Sequence, residues 1–147
     1  MQQATILSVL LVVLLGTLSS ALSVQLPYCG GRGIQIPLLG NYSFWVTLEL
    51  DSTGSSFAFR CDRDLHVSWC YPNTADFSTG KITQPAPCLT ELLSKYQLKD
   101  FTVDFSGTPD RVRLSATAAP MGMELGSFEV QLTQQQCKQH QLGSNEL

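Results

Sequence analysis

Tyr42, Phe44, Val46, Leu48 and Leu50 fall on every second position between Asn41 and Cys61. Ser43, Thr47, Glu49 and Asp51 fill the gaps, and Trp45 is the exception. Strict alternation predicts a strand with one face in a core and the other in water. Asp51 to Ser55 then carries turn residues, and Phe57 and Phe59 resume the alternation. The two segments predict an antiparallel hairpin, its even positions inward in the first strand and its odd positions inward in the second.

The same pattern extends the sheet. Leu65, Val67 and Trp69 alternate with His66, Ser68 and Cys70, which predicts a third strand with Trp69 inside and Cys70 outside. Lys81 to Thr83 predicts one more short strand, ended by Pro85 and Pro87. Leu89, Leu92, Leu93 and Tyr96 form a stripe at helical spacing, so a helix is expected over about Cys88–Gln97. Phe101, Val103 and Phe105, answered by Val112, Leu114 and Ala116 across a Gly-Thr-Pro-Asp turn, predict a second hairpin. A last strand follows from about Met123 to Leu132. Leu125 is out of phase there with Phe128, Val130 and Leu132, which predicts a bulge at Gly126-Ser127.

The ends read differently. Residues 22–40 are expected to form an N-terminal arm, with Cys29-Gly30-Gly31-Arg32-Gly33 as a pliable turn around a disulfide. Ile34, Ile36 and Leu38, interrupted by Pro37, suggest an edge strand or lead-in. Residues 138–147 are polar and expected to be a flexible tail. The fold class is therefore mainly β (α+β): an antiparallel meander of six to seven strands, curved or partly barrel-like, with one helix on its concave face. Residues 41–137 form the single β-rich domain.

Ile6 to Gly16 is an apolar run followed by Ser19-Ser20-Ala21, the pattern of a signal peptide over residues 1–21, cleaved after Ala21 or after Ser23. The run is shorter than the roughly 20 apolar residues that span a bilayer. Nine Lys and Arg against 12 Asp and Glu give a net charge of −3 without a basic patch, so nucleic acid and anionic membranes are not expected partners.

Five cysteines in a secreted chain point to disulfides. Parity places Cys61 inward with Phe57 and Phe59, and Cys88 opens the helix that covers that face, so Cys61–Cys88 is the first expected bridge. Cys29 and Cys137 bracket the folded region and are expected to clip its ends together. Cys70 is left outside, unpaired or joined to a second chain as a disulfide-linked dimer. Asn41-Tyr42-Ser43 is a glycosylation sequon on the polar parity of its strand.

No constellation carries catalytic chemistry in the sequence. His66 and His140 have no marked partner acid, and nothing selects a pair among Asp62, Asp64, Asp100 and Asp104. No residue set calls for a metal or cofactor. Trp45, breaking onto the polar face, is a candidate contact for a partner or sugar ring. The expected function is a secreted, non-enzymatic binding domain for an extracellular protein or glycan. The alternative is a carrier of a small apolar ligand held between sheet and helix.

Overall fold

The computed structural model describes residues 27–36, 40–51 and 56–145. The expected signal peptide and the Asp51–Ser55 turn, beyond Asp51 itself, lie outside them. The described residues form eight strands: β1 (Tyr28–Ile36), β2 (Gly40–Leu50), β3 (Ser56–Arg63), β4 (Val67–Ala75), β5 (Ile82–Gln84), β6 (Leu98–Asp104), β7 (Arg111–Ala118) and β8 (Gly126–Thr133). Helix α1 (Pro87–Lys95) separates β5 from β6, and helix α2 (Gln134–Asn145) follows β8.

All pairings are antiparallel, in the order β5-β4-β3-β2-β1-β8-β7-β6. Each neighbour but one is also a neighbour in sequence. The exception, β1 beside β8, joins the two ends of the chain. The sheet's outer strands approach each other through a bridge between Lys81 and Thr102. The Val103 N–H also donates to the Gly80 carbonyl at 2.8 Å. The eight strands thus curl into a nearly closed barrel.

The alternation in β2 sets the core. Phe44, Val46 and Leu48 are buried, and the strand meets inward partners on β3: Val46 opposite Cys61, Leu48 opposite Phe59, Leu50 opposite Phe57. Val112, Leu114 and Ala116 of β7 and Val130 and Leu132 of β8 bury the matching face on the other side. Helix α1 fits the seam between β4 and β6. Pro87 supplies a first-turn residue whose missing N–H costs nothing there. Leu89 is fully buried, and Leu92, Leu93 and Tyr96 are half-buried against the core. The fully buried Asn73 fixes the entry to α1, accepting from the Ala86 N–H at 2.9 Å and donating to the Cys70 carbonyl at 3.0 Å.

Three expectations are corrected. The N-terminal arm is instead β1, an interior strand paired with β2 over its whole length. Its glycines serve close approach rather than a turn: a Cβ on Gly30 would stand 2.4 Å from the Gln131 carbonyl oxygen, and one on Gly31 would stand 2.7 Å from the Trp45 ring. The tail expected to be flexible is α2, which lies on the outer face of the barrel. Cys137 ties it to Cys29 of β1, and His140, one turn on, stacks on Trp45. The bulge at Gly126-Ser127 is absent: β8 starts at Gly126 and pairs with β7 without a shift, so Leu125 precedes the strand.

The β6–β7 hairpin carries a pH dependence. Asp104 accepts from the Ser106 N–H at 2.8 Å and from Arg113 at 2.7 Å. The Ser106 hydroxyl and N–H, followed by the Arg113 guanidinium, lower its pKa from 3.8 to about 2. A carboxylate depressed on folding stabilises the fold above its unfolded pKa and loses that contribution as pH falls from about 4 to 2. Acid unfolding followed by circular dichroism is expected to show the Asp104→Asn variant losing less stability across that window than the parent.

Candidate functional site

The cysteines show which face each strand presents. Cys29 is joined to Cys137, with Cα atoms 4.9 Å apart. Cys70 is joined to Cys88, with Cα atoms 5.8 Å apart. Cys61 is free and buried. The expected Cys61–Cys88 bridge is therefore replaced by Cys70–Cys88, and Cys70 is neither exposed nor available to a second chain. The cause is a change of register. The pairing of β3 with β4 shifts between Phe57 and Phe59 and again between Phe59 and Cys61, and the result sets Cys70 opposite the inward Phe59. Cys70 is fully buried, and its neighbours Trp69 and Tyr71 turn to the outside.

That shift builds a surface that the alternation alone conceals. Trp69 is 40% exposed and Tyr71 69% exposed. They stand two positions apart on one strand, hence about 7 Å apart on the same face. Arg60 of β3 lies over the Trp69 ring at 5.4 Å, and Asp62 sits 3.7 Å from the Arg60 guanidinium. Glu49 of β2 and Ala58 of β3 are opposite one another and continue this face, and both help line a surface cleft with Tyr71 and Pro72. Two exposed aromatic rings thus stand among cationic and anionic side chains on the outer face of β2, β3 and β4.

Trp45, the partner contact expected from the sequence, is engaged inside the chain. His140 stacks on it with ring centres 4.5 Å apart, the Arg63 guanidinium stands 5.6 Å from its centre, and Gly31 lies beneath it. Its place is to seat α2 on the barrel. Asn41 is exposed at the start of β2, as its parity requires. Asp64 is committed to the β2 backbone, accepting from the Ser43 N–H at 2.6 Å. His66 is exposed just before β4. No group of three or more metal-ligating side chains occurs among the described residues.

The interior holds a second feature. A cavity of about 50 Å³ lies toward the α1 end of the barrel, lined by Phe44, Phe59, Cys61, Leu92, Leu93 and Phe128 among others, and its wall exposes only apolar atoms. Burial, with a smaller contribution from Asp62, pushes the Cys61 thiol up to about 12. Its thiolate fraction at pH 8 is then about one in ten thousand, so this cysteine is inert as a nucleophile. Iodoacetamide at pH 8 is expected to label no cysteine in the native protein and one after unfolding without reduction, counted by intact mass.

No known protein family, characterised protein or solved structure matches the chain. No helix among the described residues is long and apolar enough to cross a membrane. The two disulfides are compatible with an extracellular protein.

Proposed function

We propose that this is a secreted binding domain without catalytic chemistry of its own, recognising an extracellular protein or glycan through the outer face of β2 to β4. The observation that carries the reading is the grouping of Trp69, Tyr71 and Arg60 on one exposed sheet face. Trp, Tyr and Arg are the residue types that dominate binding hot spots, because each combines a large contact area with a polar group. Secretion is supported by the apolar N-terminal run with its small-residue site and by the paired cysteines. A glycan on Asn41 would stand about 20 Å along β2 from Thr47, the residue opposite Arg60, and would leave the aromatic face open.

The test uses the Trp69→Ala/Tyr71→Ala variant. Both side chains point outward, so its thermal midpoint is expected within a few degrees of the parent's. Extracellular fluid and an immobilised glycan panel are passed over both proteins. A species held by the parent and lost by the variant supports the reading. Equal retention by the two sinks it.

The cavity supports a second reading, a carrier of a small apolar ligand in the barrel interior. Native mass spectrometry of protein purified without reduction checks it. A co-purifying mass of a few hundred daltons, released on denaturation, is the expected sign of a carrier.

A further inference from the structure

Arg32 occupies a position in β1 that the barrel's own pattern reserves for apolar or small residues. Tyr28, Gly30, Arg32 and Ile34 stand opposite Leu48, Val46, Phe44 and Tyr42. Directly opposed residues share a face, so Arg32 starts from the inner face, beside the buried Phe44. Arg63, which is also opposite Phe44, sits at the end of β3 with a φ of 79° and carries its guanidinium to Trp45 on the outside. Arg32 lies within its strand and takes another route. The ladder between β1 and β8 consists of the single pair Cys29–Thr133, and beyond it the strands part. The Arg32 side chain leaves through that opening and donates from Nη1 to the Glu129 carbonyl at 2.8 Å.

This opening is a surface cleft of about 160 Å³, lined by Arg32, Ile34, Leu125 and Phe128 among others. Phe128 also lines the apolar cavity and meets Phe44 edge-on at 6.1 Å. One aromatic ring thus separates a guanidinium from the apolar interior. Among the described residues Arg32 forms no ion pair. The one carbonyl it meets leaves donors that match the planar geometry of a carboxylate.

We propose that Arg32 is the head-group end of a binding site whose apolar end is the barrel cavity, and that the ligand is a monocarboxylate with a short apolar tail. The proposal rests on the carrier reading and names the ligand class for it. Size sets the manner of entry. A cavity of about 150 Å³ is what holds benzene, so the present 50 Å³ accepts only the tip of a tail. The remaining room comes from Leu92 and Leu93, which line the cavity from α1. That helix is held at both ends, by the Cys70–Cys88 bond near its first turn and, just past its last, by the Gln97 carbonyl accepting from the Ala119 N–H at 2.8 Å. The half-buried Leu92 and Leu93 side chains between those ends are the part that yields.

The probes are octanoate and octan-1-ol, titrated calorimetrically into the purified protein and into the Arg32→Gln, Arg32→Lys and Ala116→Leu variants. The parent is expected to prefer octanoate. Arg32→Gln is expected to weaken octanoate about tenfold or more, the scale of a lost charge-assisted pair, and to leave octanol unchanged. Arg32→Lys retains the preference for the anion. Ala116→Leu, which fills the cavity, weakens both probes. Equal binding of the two probes by the parent, or octanoate binding indifferent to Arg32→Gln, overturns the Arg32 site and leaves the carrier reading standing. Binding of neither probe overturns both. Should Arg32→Gln fail to fold, the parent's preference and its persistence in Arg32→Lys decide the matter.

Discussion

Replacing Cys29 and Cys137 together by alanine is expected to lower the stability of the barrel by about 4–5 kcal/mol, the scale of opening a closed loop of roughly 100 residues. The bridge spans 108 residues of sequence. It lies where the sheet is otherwise weakest, since β1 and β8 share one ladder pair, Cys29 with Thr133. Losing it therefore frees the unfolded chain and removes the clasp of the native one. It also releases α2, whose own sequence, QQQCKQHQLGSN, offers no apolar stripe to hold it. Two signals should change together: the urea midpoint should fall, and Trp45, no longer covered by His140, should shift its fluorescence to longer wavelength while the protein is still folded. A double variant with unchanged midpoint would mean that the β1–β8 contact closes the barrel without the disulfide.

Substituting Gly30 by valine is expected to cost at least about 3 kcal/mol, the upper end of ordinary overpacking. The first added carbon alone would stand 2.4 Å from the Gln131 carbonyl oxygen and 2.9 Å from a Leu132 methyl group. The first of these is backbone, so no side-chain rotation relieves it. Strand β1 must move away from β8 and strain the disulfide beside it. Gly33→Val on the same strand is the control, because its nearest neighbour would be 3.9 Å away. Because valine favours strands over glycine, comparable losses at the two positions in thermal unfolding would show that close approach to β8 does not explain the glycine at position 30.

These two sites show where sequence reading reaches its limit. The faces of β2, β3, β6 and β7 were legible because alternation is a local property. So was α1, from its stripe. The Cys29–Cys137 pairing followed from position at the two ends of the folded region. Strand β4 was misread because Leu65, Val67 and Trp69 keep perfect phase through a region where the pairing slips, and one slip exchanges the two faces. That single change moved Cys70 from surface to core, transferred the bridge from Cys61 to Cys70, and brought Trp69 out. The binding face proposed for Trp69 and Tyr71 was hidden by the same error. Gly30 and Gly31 read as flexibility because the partners that require them, Gln131 and Trp45, are distant in sequence. Helix α2 has no amphipathic signature, and its anchors, the Cys29–Cys137 bond and the stack of His140 on Trp45 among them, lie far from it in sequence.

The clasp between the ends of the folded chain also determines how the molecule bears load. Tension applied outside Cys29 and Cys137 passes through their sulfur bond and bypasses the sheet between them. Roughly 370 Å of extended chain, the span of those 108 residues, is thereby withheld from stretching. Under oxidising conditions the barrel behaves as a rigid bead on a tether. Cutting that bond exposes the polypeptide to force, except for the 18-residue loop that Cys70–Cys88 still closes.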